Sequence, residues 1–348
     1  MTEPSLFKVM KKSSTMILSG ILLAGLVSCN KQEAGAVREE LPSQSAEIEF
    51  CLASDAAIQM DTKSATMATE GAINNFQILV FNSDGKIDGY GSTTSSTATV
   101  KVTRGASKQC YAVVNSSEDL STIATKSALL AKVSYLKNNS LSGLEMVGSV
   151  TKDLSSASSC EIPVTRFAAK VVIDKITPAF TNAAHSAMEF KVVAIYLTNV
   201  NGQSTYDMAT NTLKWYNQLK YVSGECNALL ADMSINKTIT AAAPLNEKHY
   251  FYCYANPSSQ TTEGGASFSA RQTRLVIETT LGGTTYYYPI NIASASGTLN
   301  YNTAYEITNL KITGLGSDNP DVTPKKGSIS FTVKVTDWAT GFSKEVEY

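Results

Sequence analysis

Histidine and tryptophan are nearly missing from this 348-residue chain, which has two of each. His185 and His249 lie far apart and no Cys-x-x-Cys accompanies them, so no zinc-ligand spacing is present. A Gly-x-Ser-x-Gly elbow, a Walker A loop and a complete Gly-x-Gly-x-x-Gly are also lacking. Gly314-Leu315-Gly316 stops one glycine short of the last of these. The stretch Asn82-Ser83-Asp84-Gly85-Lys86-Ile87-Asp88 echoes a calcium loop without its distal glutamate, and reads as a plain turn. The sequence therefore gives no ground for assigning an enzyme, a cofactor or a metal. Charge is scarce too. Charged residues make up 17% of the chain and leave a net charge of -1, which offers no electrostatic reason to expect nucleic acid as a partner.

Long apolar runs are equally few. Met16 to Val27 is too short to span a bilayer and follows the basic Met10-Lys11-Lys12, the build of a signal peptide whose anatomy puts the start at Met10. Where a soluble secreted protein would carry a small-x-small cleavage site, Leu26-Val27-Ser28-Cys29 stands instead. It resembles the bacterial lipobox, in which the cysteine becomes the lipidated first residue. The alternative is a stray cysteine after an ordinary signal. A polar tether follows over residues 30–45, as expected between a lipid anchor and a folded domain. Beyond Cys29 the remaining cysteines are Cys51, Cys110, Cys160, Cys226 and Cys253. They are odd in number and scattered, and the simplest role for those in strand-like runs is a buried free thiol.

What is present is alternation. Hydrophobic residues reach 43%, enough to bury a core, and the length suits two domains. Ile48, Phe50 and Leu52 share one face, with Glu47, Glu49 and Cys51 opposite. Phe76 to Phe81 is a strand that ends in the hairpin turn Asn82-Ser83-Asp84-Gly85. Leu129, Leu130, Val133 and Leu136 predict one helix, closed by Asn138-Asn139. A second block starts at Arg166, with strands at Phe190–Leu197, His249–Tyr254, Thr273–Thr279, Thr285–Ile292 and Ala304–Thr313. Within it, Tyr286-Tyr287-Tyr288 is the one candidate for a glycan-binding aromatic patch, though alternating tyrosines read first as half core and half surface. The cleanest alternation comes last. Ile329, Phe331, Val333 and Val335 line one face, behind a hinge-like loop containing Pro320 and Pro324.

In order along the chain, several segments resemble the fimbrillin family, the subunits of type V pili of Bacteroidia-like bacteria. They are Leu26-Val27-Ser28-Cys29, Asn75 to Gly85, Arg166-Phe167-Ala168-Ala169-Lys170-Val171, Tyr305 to Gly316, and Trp338. The resemblance implies a mainly β fold of two tandem β-sandwich domains of transthyretin-like, Greek-key type, over 46–165 and 166–348, with a short helix inserted in the first. It implies export as a lipoprotein on Cys29, then a cut by a trypsin-like protease, which falls here between Lys63 and Ser64. The best-known members are cut after arginine, so a lysine leaves the protease open. Arg38 is a rival that would keep the first strand in place. Loss of the first strand (Ile48, Phe50, Leu52) opens a groove that the tail of a neighbour fills. The donor segment is 327–348, with Ile329, Phe331, Val333 and Val335 facing in. Both strands carry the same pitch and similar bulk, as strand addition requires. The implied partners are other copies of the chain or related subunits, the maturation protease, the outer membrane through the lipid before cleavage, and a host glycan or protein. The competing reading is a non-polymerising surface lipoprotein, either a pilus tip or anchor component or an adhesin.

Overall fold

The computed structural model describes residues 44–53, 70–209 and 214–337, and the backbone of 343–347. Cys29, Arg38, Lys63, Ser64 and Trp338, with most of the expected tether, lie outside the described residues. The chain is mainly β, and among the described residues its sheets do not close into a barrel.

The first strands are β1 (Ser45–Leu52), β2 (Phe76–Phe81), β3 (Ile87–Thr93), β4 (Thr97–Thr103) and β5 (Lys108–Val114). After them come β6 (Val133–Tyr135), β7 (Met146–Lys152), β8 (Ser159–Ile162) and β9 (Thr165–Arg166). They form a three-stranded sheet in the order β4-β1-β8 and a five-stranded sheet in the order β3-β2-β5-β7-β9. Between the two sheets lies an apolar cluster built from Ile48, Phe50, Leu52, Ile78, Val100, Ile162 and their neighbours. The hairpin turn stands where it was expected. Gly85 has φ +78 and donates its N–H to the Asn82 carbonyl, a conformation that suits glycine.

β2 is buried along its whole length, because each face meets a different core. Phe76, Ile78 and Val80 enter the cluster just described, while Leu79 and Phe81 point into a second, larger one. This is why the strand reads as an apolar run on both faces, interrupted only by Gln77.

The larger cluster continues into the remaining strands. These begin with β10 (Ala168–Ile173), β11 (Ile176–Pro178), β12 (Phe190–Thr198), β13 (Val200–Asn201), β14 (Gln203–Thr205), β15 (Trp215–Tyr216), β16 (Ala231–Asp232) and β17 (Lys237–Thr238). They end with β18 (His249–Tyr254), β19 (Arg274–Leu281), β20 (Thr284–Asn291), β21 (Thr303–Ile312), β22 (Ile329–Asp337) and β23 (Ser343–Glu347). One sheet runs β18-β10-β21-β22-β23 with β11 beside β21, and another runs β16-β12-β19-β20 with β17 beside β12. Val171, Phe251, Tyr305 and Ile307 from the first meet Val192, Ile195, Leu197 and Ile277 from the second.

The helix predicted through Leu136 is shorter than its periodicity suggests. α1 covers only Lys126–Leu130, capped by the Thr125 hydroxyl, which accepts from the Ala128 N–H at 3.2 Å. Val133 instead enters β6, which pairs with β14, and Leu136 begins a single 3-10 turn. Leu129 and Leu136 are both buried, so the apolar spacing was real. A partner strand took the backbone that a helix would have used.

Candidate functional site

β1 occupies the middle of its sheet. On one side it pairs antiparallel with β4, Ile48 facing Val100, and on the other parallel with β8, Phe50 facing Cys160. Its alternation sends Ile48 and Phe50 fully into the core, each 0% exposed, and Leu52 nearly so at 8%. Glu47 and Glu49 face solvent. Burying each apolar side chain contributes about 1.5–3 kcal/mol, and the inward residues carry no charge. Taking β1 away would leave β4 and β8 one strand apart, with unpaired backbone groups on both facing edges and an empty apolar slot below.

Polar contacts brace the slot at one end. Arg104, just past β4, donates to the Leu154 carbonyl at 3.2 Å and to the Ala157 carbonyl, both in the turn leading to β8. The Leu154 N–H donates in turn to the Gly105 carbonyl at 2.9 Å. These bonds tie the two walls together without using β1. Nothing in Thr103-Arg104-Gly105 marks the arginine for this role in the sequence.

The chain is anchored again at Glu70. Its carboxylate lies 3.1 Å from the Lys170 ammonium of β10, with both side chains 4% exposed, and accepts from the Tyr252 hydroxyl of β18. Arg166 lies close by, and burial lowers the pKa of its guanidinium despite the Glu70 charge.

The four tail residues expected to act together share one face of β22. Val333 is 1% exposed, and Ile329, Phe331 and Val335 are half-buried against the large cluster. β22 pairs with β21 on one side, Val333 facing Ile307, and with β23 on the other, Val333 facing Val346. The tail thus lies in a sheet of its own chain. Its root is fastened by charge. Asp321 is buried between Arg271 at 2.5 Å and Arg274, and also accepts from Asn199 Nδ2 at 3.0 Å and the Gly264 N–H at 2.9 Å. The sequence offered Pro320 and Pro324 as a hinge and gave no sign of this clamp.

The remaining candidates disperse. His249 Nδ1 sits 2.9 Å from an Asp232 carboxylate, while His185 lies in α2 (Ala183–Ser186) against Phe180. Among the described residues no group of His, Cys, Asp and Glu could hold a metal ion. In the tyrosine run, Tyr288 is core, and its hydroxyl donates to the Gly314 carbonyl at 2.9 Å; Tyr286 and Tyr287 are half-buried. A buried Glu145 joins the two halves of the chain. It accepts from Ser134 and, at 2.6 Å, from Tyr206, and burial pushes its pKa up.

Comparison with known proteins agrees with this architecture. Residues 46–171 match the family described as the major fimbrial subunit protein (FimA). A fimbrilin from Porphyromonas gingivalis W83 superposes with a TM-score of 0.60 at 16% identity, covering 84% of this chain and 97% of that one. A candidate cell adhesion protein from Bacteroides eggerthii gives a TM-score of 0.62 at 19% identity, covering 86% of this chain and 97% of that one. A candidate cell adhesion protein from Parabacteroides distasonis gives 0.56 at 16% identity, over 84% of this chain and 96% of the other. No curated protein sequence matches. The structural likenesses carry the fold, and over residues 46–171 the sequence matches the major fimbrial subunit (FimA) family, in line with the fimbrillin resemblance of its segments.

Proposed function

We propose that this protein is a structural subunit of a surface pilus, serving adhesion, and that it joins its neighbours by strand exchange. The observation that carries the reading is the central place of β1 between β4 and β8, with Ile48, Phe50 and Leu52 as its inward face. A strand removed from the middle of a sheet leaves a slot that only another strand satisfies, since both edges then present unpaired N–H and C=O groups. β22 has the matching inward set at Ile329, Phe331, Val333 and Val335. A slip of one residue would turn that set outward, so register is enforced.

The rest of the reading concerns processing. The chain is exported as a lipoprotein on Cys29 and sits in the outer membrane as a precursor. It is then cut between Lys63 and Ser64, which releases β1 with the anchor. Glu70, held by Lys170 and Tyr252, keeps the chain just downstream of the cut docked. Two sandwich domains, 46–165 and 166–348, meet at Arg166.

A second reading has its own support. β22 is paired on both sides and Asp321 is clamped behind it, an arrangement that a tip or anchor subunit with no strand to donate would also keep. Immunogold negative staining of surface fibres, with N-terminal sequencing of the labelled material, separates the two. Label along the shaft and a start at Ser64 support the pilus subunit. Label confined to fibre ends favours the second reading, and a different start means that another bond is cut.

A further inference from the structure

β8 is the weaker wall of the slot. Among the described strands it pairs with β1 and with no other, so the loss of β1 would strip it of every sheet hydrogen bond. Opposite β8, across the smaller cluster, runs β5, and the two strands bring Cα atoms within 8 Å of each other. Each contributes a cysteine to that cluster, Cys110 at 0% and Cys160 at 1% exposure. Both thiols are reduced in this structure, and the Cys110 thiol donates to the Lys108 carbonyl at 3.9 Å.

We propose that Cys110 and Cys160 form a disulfide in the exported protein, stapling β8 to β5 so that the wall keeps its place when β1 departs. This rests on the export reading above, because an oxidising compartment is what allows such bonds to persist. The chemistry is thiol–disulfide exchange with a thiol–disulfide oxidoreductase of the cell envelope, before the core closes. The Cys160 thiolate attacks one sulfur of the enzyme disulfide. The enzyme's S–S bond breaks, and its leaving sulfur takes up the proton that Cys160 lost. Cys110, deprotonated in its turn, attacks the Cys160 sulfur of the mixed disulfide and expels the second enzyme sulfur, which takes up that proton. The two cysteines are oxidised by two electrons and the enzyme disulfide is reduced to a dithiol.

Cys51 is the competing partner. It sits on β1, half-buried, and its thiol donates to the Cys160 carbonyl at 3.8 Å. A bond from Cys51 to Cys160 would tether β1 to the wall that it must leave. A bond from Cys110 to Cys160 leaves β1 free, so the choice of partner has a consequence for assembly.

The test uses the full chain with its own leader, expressed in a host with an oxidising envelope, fractionated, and denatured in the presence of an alkylating thiol blocker. Peptide mapping without reductant should give one cross-linked pair joining the Cys110 and Cys160 peptides, with Cys253 alkylated. Alkylation of both Cys110 and Cys160 in envelope material would overturn the proposal, and so would a Cys51–Cys160 link. Recovery of the chain in the cytoplasm alone would overturn the export reading, and this one with it, and fractionation makes that failure recognisable. A second measurement separates the bond from mere packing. The double variant Cys110→Ala/Cys160→Ala should lower the melting temperature of envelope-made protein by several degrees more than that of cytoplasmically made protein. Equal shifts in the two preparations would assign the cysteines a packing role and overturn the staple.

Discussion

β1 and β22 carry the same pattern of alternating apolar residues, yet the fold holds them in opposite ways. β1 lies at the centre of its sheet with its inward face sealed, and no ion pair among the described residues ties it down. β22 is only partly sealed, with Val333 alone fully buried among its four inward residues, but a charged clamp holds the chain behind it. A strand held by apolar contacts and backbone bonds can be replaced by another strand of the same pitch without leaving an orphaned charge. A strand whose root is clamped can move while its attachment stays fixed. The pattern specifies what fits a slot, and the surrounding polar groups specify which end lets go.

The largest effects should come from breaking the clamp and the sealed face. Asp321→Ala would leave the Arg271 and Arg274 guanidiniums buried without their carboxylate, a change that costs about 3–5 kcal/mol. Thermal melting of the full chain should show a large drop, and a melt within a degree of the parent would show that the clamp carries no weight. Phe50→Ala should cost about as much, 3–5 kcal/mol, because the ring is 0% exposed in the smaller cluster.

Intermediate effects sharpen the contrast between the two strands. Phe331→Asp puts a carboxylate on a half-buried position near the sheet edge, so the folded monomer should melt cooperatively and form no fibres. In the slot of a neighbour the same carboxylate would be buried unpaired, at a cost of several kcal/mol. Thr332→Asp, on the other face, should leave fibres intact. Electron microscopy beside melting curves decides the matter: loss of cooperativity in Phe331→Asp would show that the tail is a fixed part of its own domain. Lys63→Ala should give an uncut, folded precursor that retains β1, visible as an unchanged N-terminus on surface material.

Much of the β architecture was legible because period-two alternation is a direct record of one buried face. Ile48-x-Phe50-x-Leu52 and the His249–Tyr254 strand fall where the pattern put them. The helix was misread because Leu129 and Leu136 fit a helical spacing, while the pairing of β6 with β14 depends on residues 72 positions apart, Val133 with Thr205. Braces were the least legible. Arg104, Glu70 and Asp321 act through partners 50, 100 and 47 positions away, and a single charged residue has no periodicity to announce it. The thiol pair escaped for the same reason, since Cys110 and Cys160 become neighbours only when the two sheets face each other.

The smallest expected effect lies on the seam between the sheet beside the β1 slot and the sheet that holds β22. Glu145, just before β7, accepts from Ser134 and Tyr206, while Tyr254 shares the Ser134 hydroxyl. Burial raises its pKa in the folded state, and the bonds from Ser134 and Tyr206 only partly oppose this. An acid whose folded pKa is raised binds its proton more tightly folded than unfolded, so it favours folding most at low pH. That contribution is full below the ordinary glutamate range near about 4.3 and is lost as pH rises through the raised folded value. Above that value the charge is carried into the seam at a cost. Glu145→Gln keeps the shape and an acceptor oxygen but cannot ionise. It should therefore flatten the fall in melting temperature over the mildly acidic range and leave the neutral-pH melt equal to the parent or slightly higher. β1 and β22 themselves should be indifferent to this change, so fibre formation should persist. A pH series of melts on the two proteins checks it. A Gln variant that is less stable at neutral pH and keeps the parent's slope would mean that the carboxylate is held as a favourable charge across the seam.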